Sequence, residues 1–286
     1  MPTPIVTLPS GETVPALGLG SWRMGEAASR RAVEVKAVRL AIEMGYRVID
    51  TAEMYGEGGA EEVVGQAVAQ ALAAGDVARA DLFVVSKVYP HNASRGGTRS
   101  ACERSLKRLG LEHIDLYLLH WRGSHPLADT VAAFEQLKAA GRIRHWGVSN
   151  LDIGDMMELA AARQGGQCAA NQVYYSLSQR GAEFSLLPWL RANSMPAMAY
   201  SPIDQGALAG HAVLSGIGQR HGASAAQVAL AWVLSQPGVM AIPKAVRESH
   251  LRDNLAAASL VLSADDRAEL DRHFPAPMHK TALAMI

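Results

Sequence analysis

The 286-residue chain is poor in the features that mark exported, membrane or nucleic-acid-binding proteins. Cysteine is scarce: Cys102 and Cys168 allow one disulfide at most, and without an export signal both are expected to be reduced thiols. Neither sign of charge is in excess, since Lys+Arg and Asp+Glu number 27 each. With no basic surplus to neutralise phosphates or anionic lipid, no nucleic-acid or membrane partner is expected. No apolar run reaches the roughly 18 residues that span a bilayer. The opening Met1-Pro2-Thr3-Pro4-Ile5-Val6-Thr7 lacks the basic segment and apolar core of a signal peptide. The expectation is a cytoplasmic protein, monomeric, acting on a small molecule. What is plentiful is apolar residue, 49% against 19% charged, which excludes disorder.

Those apolar residues are arranged in a rhythm. Short β-type runs alternate with longer stretches of helical period. Leu17–Gly20 precedes a helix over Arg30–Met44, Val48–Asp50 one over Ala60–Leu72, and Leu82–Lys87 one over Ser94–Leu109. Ile114–His120 leads to Leu127–Ala140, and Ile143–Ser149 to Asp152–Ala162, with Asp152 as N-cap. Ala169–Gln172 is followed by a short helix over Leu186–Ala192. Pro196–Tyr200 is followed by a loop, a small helix and Ala225–Leu234. Val239–Ile242 is followed by Ser249–Ala257 and a last helix over Ala264–Phe274. Eight such units, about 36 residues each, predict a closed (β/α)₈ barrel over one domain, residues 1–286. Ile5–Leu8 and Thr13–Pro15 flank Pro9-Ser10-Gly11-Glu12 and read as a hairpin capping the barrel's N-terminal end.

In such a barrel, side chains at the C-terminal ends of the strands converge on one face. The polar residues ending the apolar runs are therefore the candidates: Asp50, Lys87, His120, Ser149, Asn150, Gln172 and Tyr200, with Tyr55 five residues beyond Asp50. Asp50, Tyr55, Lys87 and His120 make a chemically coherent set. A phenol of ordinary pKa near 10 is a poor acid at neutral pH. A lysine ammonium beside it favours phenolate, so a lowered tyrosine pKa is expected, with the aspartate keeping the lysine charged. A histidine can hold a carbonyl oxygen for attack, and the group stabilises a developing alkoxide. It lacks a nucleophile, which a nicotinamide hydride would supply. No Gly-x-Gly-x-x-Gly joins a strand to a helix, so a Rossmann mode of dinucleotide binding has no support. Gly18 and Gly20 read as bends at the barrel rim. No metal motif is present, and no metal is expected.

Asp50-Thr51-Ala52-Glu53-Met54-Tyr55-Gly56, Ser86-Lys87-Val88, Ser105–Leu109 leading to Ile114–Trp121, Gly147-Val148-Ser149-Asn150, Asn171-Gln172-Val173, Ala199-Tyr200-Ser201-Pro202 and Ile242-Pro243-Lys244 resemble the aldo-keto reductase superfamily in order and spacing, over nearly the whole chain. The resemblance implies a barrel that reduces carbonyls with NADPH, NADH being possible. It implies Tyr55 as proton donor, tuned by Lys87 and Asp50, with His120 orienting the carbonyl. Ser149, Asn150 and Gln172 match positions that hold the nicotinamide carboxamide, and Tyr200 the ring on which it stacks. Ser201, Pro202 and Gly206 lie in the segment matching the loop over the pyrophosphate. Lys244 and Asn254 match contacts to the adenosine end, Lys244 meeting the 2′-phosphate. Two positions depart: Ala245 stands where many members have serine, and His250 where they have arginine. Arg247 lies close enough in sequence to replace the lost guanidinium.

After His120, only Trp121–His125 precedes Pro126 and the next helix, and the tail beyond Phe274 is short. An open, permissive pocket follows, walled by Trp22, Met54, Tyr89 and Trp121. Small aldehydes and 2-oxoaldehydes such as methylglyoxal fit it best. Two other readings stand beside this one: a Schiff-base aldolase using Lys87, and a non-catalytic redox sensor that binds the cofactor in the same fold.

Overall fold

A computed structural model describes residues 4–286. Eight parallel strands form the central sheet: β3 (Gly18–Gly20), β4 (Val48–Asp50), β5 (Phe83–Val88), β6 (Ile114–Leu119), β7 (Ile143–Ser149), β8 (Asn171–Tyr174), β9 (Ala197–Tyr200) and β10 (Val239–Ala241). They are hydrogen-bonded in sequence order from β3 to β10. Parallel bridges from Leu17 to Ala241 and from Gly20 to Lys244 bring the last strand round to the first. The barrel closes there because Gly20 has no side chain. A Cβ on it would lie 2.7 Å from the Ile242 carbonyl oxygen, and one on Gly18 would lie 2.9 Å from Val48 Cγ1. Gly18 and Gly20 are thus strand residues at a tight seam and not bends at the rim.

Helices α1 (Arg31–Glu43), α2 (Gly59–Ala74), α3 (Arg95–Leu109), α4 (Leu127–Ala139), α5 (Ile153–Ala161), α6 (Leu186–Ala192), α7 (Ala212–His221), α8 (Ala225–Leu234), α9 (Glu248–Ala257) and α10 (Ala264–His273) surround the sheet. Their starts follow local chemistry. Ser94, Ser224 and Ser263 each accept the backbone N–H three residues on, and Asp152 accepts that of Ile153. Strand β8 starts two residues later than the sequence reading, because Ala169 and Ala170 form the approach to it. The core lies between sheet and helices and includes Val63, Val64 and Val68 of α2 and Leu230 and Val233 of α8. Among the described residues, no helix is long and apolar enough to cross a membrane.

The N-terminal hairpin pairs β1 (Ile5–Thr7) with β2 (Thr13–Pro15). Glu12 in its turn accepts two bonds at 2.8 Å from Arg144 and one at 2.7 Å from His145. Both partners lie at the N-terminal end of β7, so the hairpin caps the barrel end opposite the strand C-termini. The opposite rim is left for chemistry.

Candidate active site

The C-terminal strand ends gather the first four candidates into one chain of contacts. Ser86 and Lys87 are neighbours on β5 and so point to opposite faces of the sheet. Ser86 turns out to α2, where its hydroxyl donates to the buried Glu61 at 2.6 Å. Lys87 turns into the barrel and is fully buried. Its ammonium donates to both Asp50 oxygens, at 2.9 and 2.8 Å, to the Thr51 carbonyl at 2.9 Å and to the Tyr55 hydroxyl at 3.3 Å. A third hydrogen bond on Asp50, from the Gln172 amide at 2.8 Å, fixes the carboxylate. The ring of His120 stands edge-on to Tyr55 with centroids 5.7 Å apart.

Electrostatics assign each group a state. Burial pushes the Asp50 carboxyl up, while Lys87 and Gln172 pull it back. For Lys87, burial favours loss of the proton, yet Asp50 and Tyr55 outweigh it and hold the ammonium above its ordinary value. Tyr55 departs from the sequence expectation. Burial raises its pKa, Lys87 opposes, and Asp50 raises it again, so the net shift is upward. The main reason is burial of the phenol, and Asp50 offsets part of the ammonium's field there. Tyr55 is therefore a loaded acid at neutral pH, with a cation 3.3 Å away to receive a phenolate. His120 is driven well below its ordinary value by burial and then by Lys87. It is a neutral imidazole, and its buried Nδ1 has no partner among the described residues.

The second group of candidates lies on the next three strands. Asn150, with φ of +58°, donates to the His120 carbonyl and the Ser149 hydroxyl, both at 3.2 Å. Tyr200 donates to Asn150 Oδ1 at 3.0 Å, and its half-buried ring stacks on Tyr174. Ser149, Asn150, Gln172 and Tyr200 thus form one polar cluster beside the Lys87 chain. Ser201, Pro202 and Gly206 follow on the loop after β9, where Ser201 has φ of +48° and Gly206 of +98°.

Beyond β10 the candidates separate. Lys244 is exposed and makes no ion pair among the described residues, like Arg23. Burial depresses its pKa; Glu34 and Glu26 oppose, and the nearby Arg30 and Arg23 add to the depression. Arg247 and His250 are exposed at the start of α9, and the guanidinium groups whose field reaches Lys244 belong to Arg30 and Arg23 instead. Asn254 is buried in α9, whose Leu251 carbonyl accepts the Tyr46 hydroxyl at 3.0 Å. Of the four wall residues, Tyr89 and Trp121 meet edge-to-face at 6.0 Å, with Trp121 4.8 Å from His120. Trp22 lies instead under the Arg23 guanidinium, 4.5 Å from its centroid, and Met54 stands on the turn before Tyr55.

Sequence reasoning missed several contributors. Glu53, buried within the Asp50–Gly56 motif, accepts the Tyr89 N–H at 2.8 Å and the Asn92 amide at 3.0 Å, tying the loops after β4 and β5 together. Tyr174 lies two residues beyond Gln172, and the period of a strand puts both on one face; that signal was available. The segment beyond α10 is fastened to the barrel. Lys280 donates to Asp152, and Leu283 packs on the core. A cavity under the tail is lined by Tyr174, Arg180, Gly181, Thr281 and Leu283.

A proton-loaded phenol on a charged lysine, a neutral imidazole and an aromatic–amide cluster on the neighbouring strands make a site for protonating and stabilising the oxygen of a carbonyl. Comparison with known proteins agrees with that chemistry. The profile of the aldo/keto reductase family matches residues 16–274. The chain is 51% identical over 279 residues to methylglyoxal reductase YeaE of Escherichia coli, covering 96% of each. It is 36% identical to glyoxal reductase of Bacillus subtilis, covering 95% of this chain and 94% of the relative. It superposes with a TM-score of 0.94 on the crystal structure of an aldo-keto reductase from Klebsiella pneumoniae in complex with NADPH, at 47% identity and with both chains fully covered. Barrel, strand-end residues and relatives converge: the chain belongs to the aldo/keto reductase family.

Proposed function

We propose that this protein reduces the carbonyl of small aldehydes and 2-oxoaldehydes, methylglyoxal among them, with NADPH as hydride donor. The observation that carries the reading is the unbroken chain Asp50–Lys87–Tyr55 beside a neutral His120. The names of the Escherichia coli and Bacillus subtilis relatives support the substrate class.

The residues present fit a nicotinamide dinucleotide. Tyr200 offers a partly open aromatic face, Asn150, Ser149 and Gln172 offer amide and hydroxyl groups, and Lys244 and Arg23 are cations that make no ion pair among the described residues. When bound, the reduced nicotinamide supplies the hydride this set of side chains lacks. Lys244, helped by Arg23 and Arg30, takes the role of phosphate contact that the sequence had shared with Arg247. Tyr89 and Trp121 wall the substrate beside His120.

Each side chain then has one task. His120 donates one hydrogen bond to the substrate oxygen and orients it; being neutral, it does so without adding a charge that would need a counter-ion. Tyr55 gives its proton to that oxygen as negative charge develops there. Lys87 stabilises the phenolate left behind, and Asp50 keeps the lysine charged and aimed. The same contacts argue against a Schiff-base lysine, since an ammonium with four acceptors has no free lone pair. All four catalytic positions are filled and in contact, which distinguishes this site from a cofactor-binding sensor.

Tyr55→Phe tests the reading. Loss of a positioned general acid should lower turnover of methylglyoxal by about 10²–10⁴-fold, followed by NADPH oxidation, while the NADPH dissociation constant stays within about twofold of wild type. Wild-type turnover in the variant would refute the assignment.

A further inference from the structure

Tyr174 and Asp204 take no part in the roles given so far, yet they join two parts of the proposed cofactor site. The Tyr174 ring is buried and lies nearly parallel to Tyr200, with centroids 5.6 Å apart and planes at 15°. Its hydroxyl donates to Asp204 Oδ1, and the Ser178 hydroxyl donates to Asp204 Oδ2 at 2.8 Å. Burial and the adjacent carboxylate both hold the phenol above its ordinary value, so at neutral pH it is a donor. Asp204 stands on the loop after β9 in a left-handed conformation, φ +50°, as do Ser201 at +48° and Gln205 at +51°. Three non-glycine residues in that region within five positions are unfavourable unless side-chain contacts hold them. The Tyr174 and Ser178 hydroxyls are contacts of that kind. The far side of the Tyr200 phenol is also fixed, by Asn150 Oδ1 at 3.0 Å.

We propose that Tyr174 is a positioning residue for the cofactor, its ring backing the Tyr200 platform and its hydroxyl pinning the Ser201–Gly206 loop through Asp204. The inference rests on the assignment of Tyr200 and that loop to NADPH. One phenol then sets two features together: the plane on which the nicotinamide rests and the shape of the loop that meets the phosphates. Pre-setting both removes ordering cost from binding, and the consequence falls mainly on how fast the cofactor leaves.

The test compares Tyr174→Phe, Tyr174→Leu, Asp204→Ala and Asp204→Asn with wild type. NADPH binding is titrated by protein fluorescence, its release is followed by stopped flow, and KM is measured separately for NADPH and methylglyoxal. Tyr174→Phe and Asp204→Ala should each weaken NADPH binding about tenfold, chiefly through faster release, with the methylglyoxal KM unchanged. Asp204→Asn keeps an acceptor for the phenol and should recover most of the loss, and Tyr174→Leu should exceed both by losing the stack. A merely structural role would lower the melting temperature without this split between the two KM values. NADPH binding and release at wild-type values in Tyr174→Phe and Asp204→Ala would overturn the inference alone. Failure of the wild type to bind NADPH would overturn the cofactor assignment, and the inference with it.

Discussion

Asp50→Asn asks whether the buried ion pair organises the site. Lys87 is 0% exposed and Asp50 2%, so neither charge is relieved by water when the other is removed. The asparagine leaves the ammonium with neutral acceptors only: an amide oxygen, the Thr51 carbonyl and the Tyr55 hydroxyl. Breaking such a pair costs about 3–5 kcal/mol. An unfolding entropy of about 2.1 cal/mol/K per residue gives about 0.6 kcal/mol/K for this chain, so the melting temperature should fall by about 5–8 °C. With a total stability of about 5–15 kcal/mol, the variant stays folded at 25 °C as long as the wild type exceeds that loss.

Lys87→Met should be destabilising by a similar route, because it strands the carboxylate. The double variant Asp50→Asn/Lys87→Met removes both charges, and uncharged replacements of buried pairs are often neutral. It should therefore regain stability to within about 1–2 kcal/mol of wild type by urea denaturation, yet show no aldehyde reduction. The pH dependence separates the charge effect from simple packing damage. In wild type the Lys87 pKa is raised, so its contribution is full below the unfolded lysine value and is lost as pH rises through the folded one. In Asp50→Asn, burial acts without its main opponent, the folded pKa drops, and the variant gains stability as pH climbs toward the ordinary value of about 10.4. The deficit should narrow accordingly. Single variants that lose under about 1 kcal/mol, or a double variant as unstable as either single, would refute the pair's role.

Lys244→Ala should lower the preference for NADPH over NADH about tenfold, and Arg23→Ala should weaken NADPH binding more than Arg247→Ala does, since the guanidinium groups felt by Lys244 are those of Arg30 and Arg23. Fluorescence titration of both dinucleotides at two salt concentrations checks this, and equal losses for NADPH and NADH in Lys244→Ala would rule it out. Asp266 clasps α7 to α10 by accepting Arg220 at 2.8 Å, His221 at 2.7 Å and the Ser263 N–H and hydroxyl at 2.9 and 2.7 Å. Burial opposes ionisation there, but Arg220, Ser263 and His221 outweigh it and depress the pKa. Its stabilisation is thus present above the unfolded value of about 3.9 and is lost as pH falls through the folded one. Asp266→Asn should cost about 1–3 kcal/mol at pH 7, with the gap to wild type closing on acidification. A gap in urea denaturation that stays constant from about pH 7 to pH 3 would contradict it.

How much of this was legible in the sequence depended on whether a residue's partner lay along the strand or across space. Asp50, Lys87 and His120 stood out because a charged or polar residue at the end of an apolar run has few bland uses, and a parallel barrel sends such ends to one face. The hairpin was readable from its turn, and helix starts from Ser94 and Asp152, because capping is local. The sign of the Tyr55 shift was not readable. Lysine next to tyrosine suggests a lowered pKa, and it is burial of the phenol first, with Asp50 on both Nζ contacts second, that reverses it. At the adenosine end the charged neighbours of Lys244 were hidden for a related reason. Arg247 is three residues from Lys244 in sequence and stands at the start of α9, whereas Arg23, 221 positions away, is brought to the same seam by the Gly20–Lys244 bridge and acts on Lys244 through its charge. Tyr174 went unread although strand alternation pairs it with Gln172, because tyrosine beside an apolar run passes for core. Its partner Asp204 lies on another loop, and the link between them exists only once β8 and β9 are side by side. Function in this barrel is written at strand ends in a form that sequence can carry; the tuning of those ends is written between strands, where only the closed sheet makes it visible.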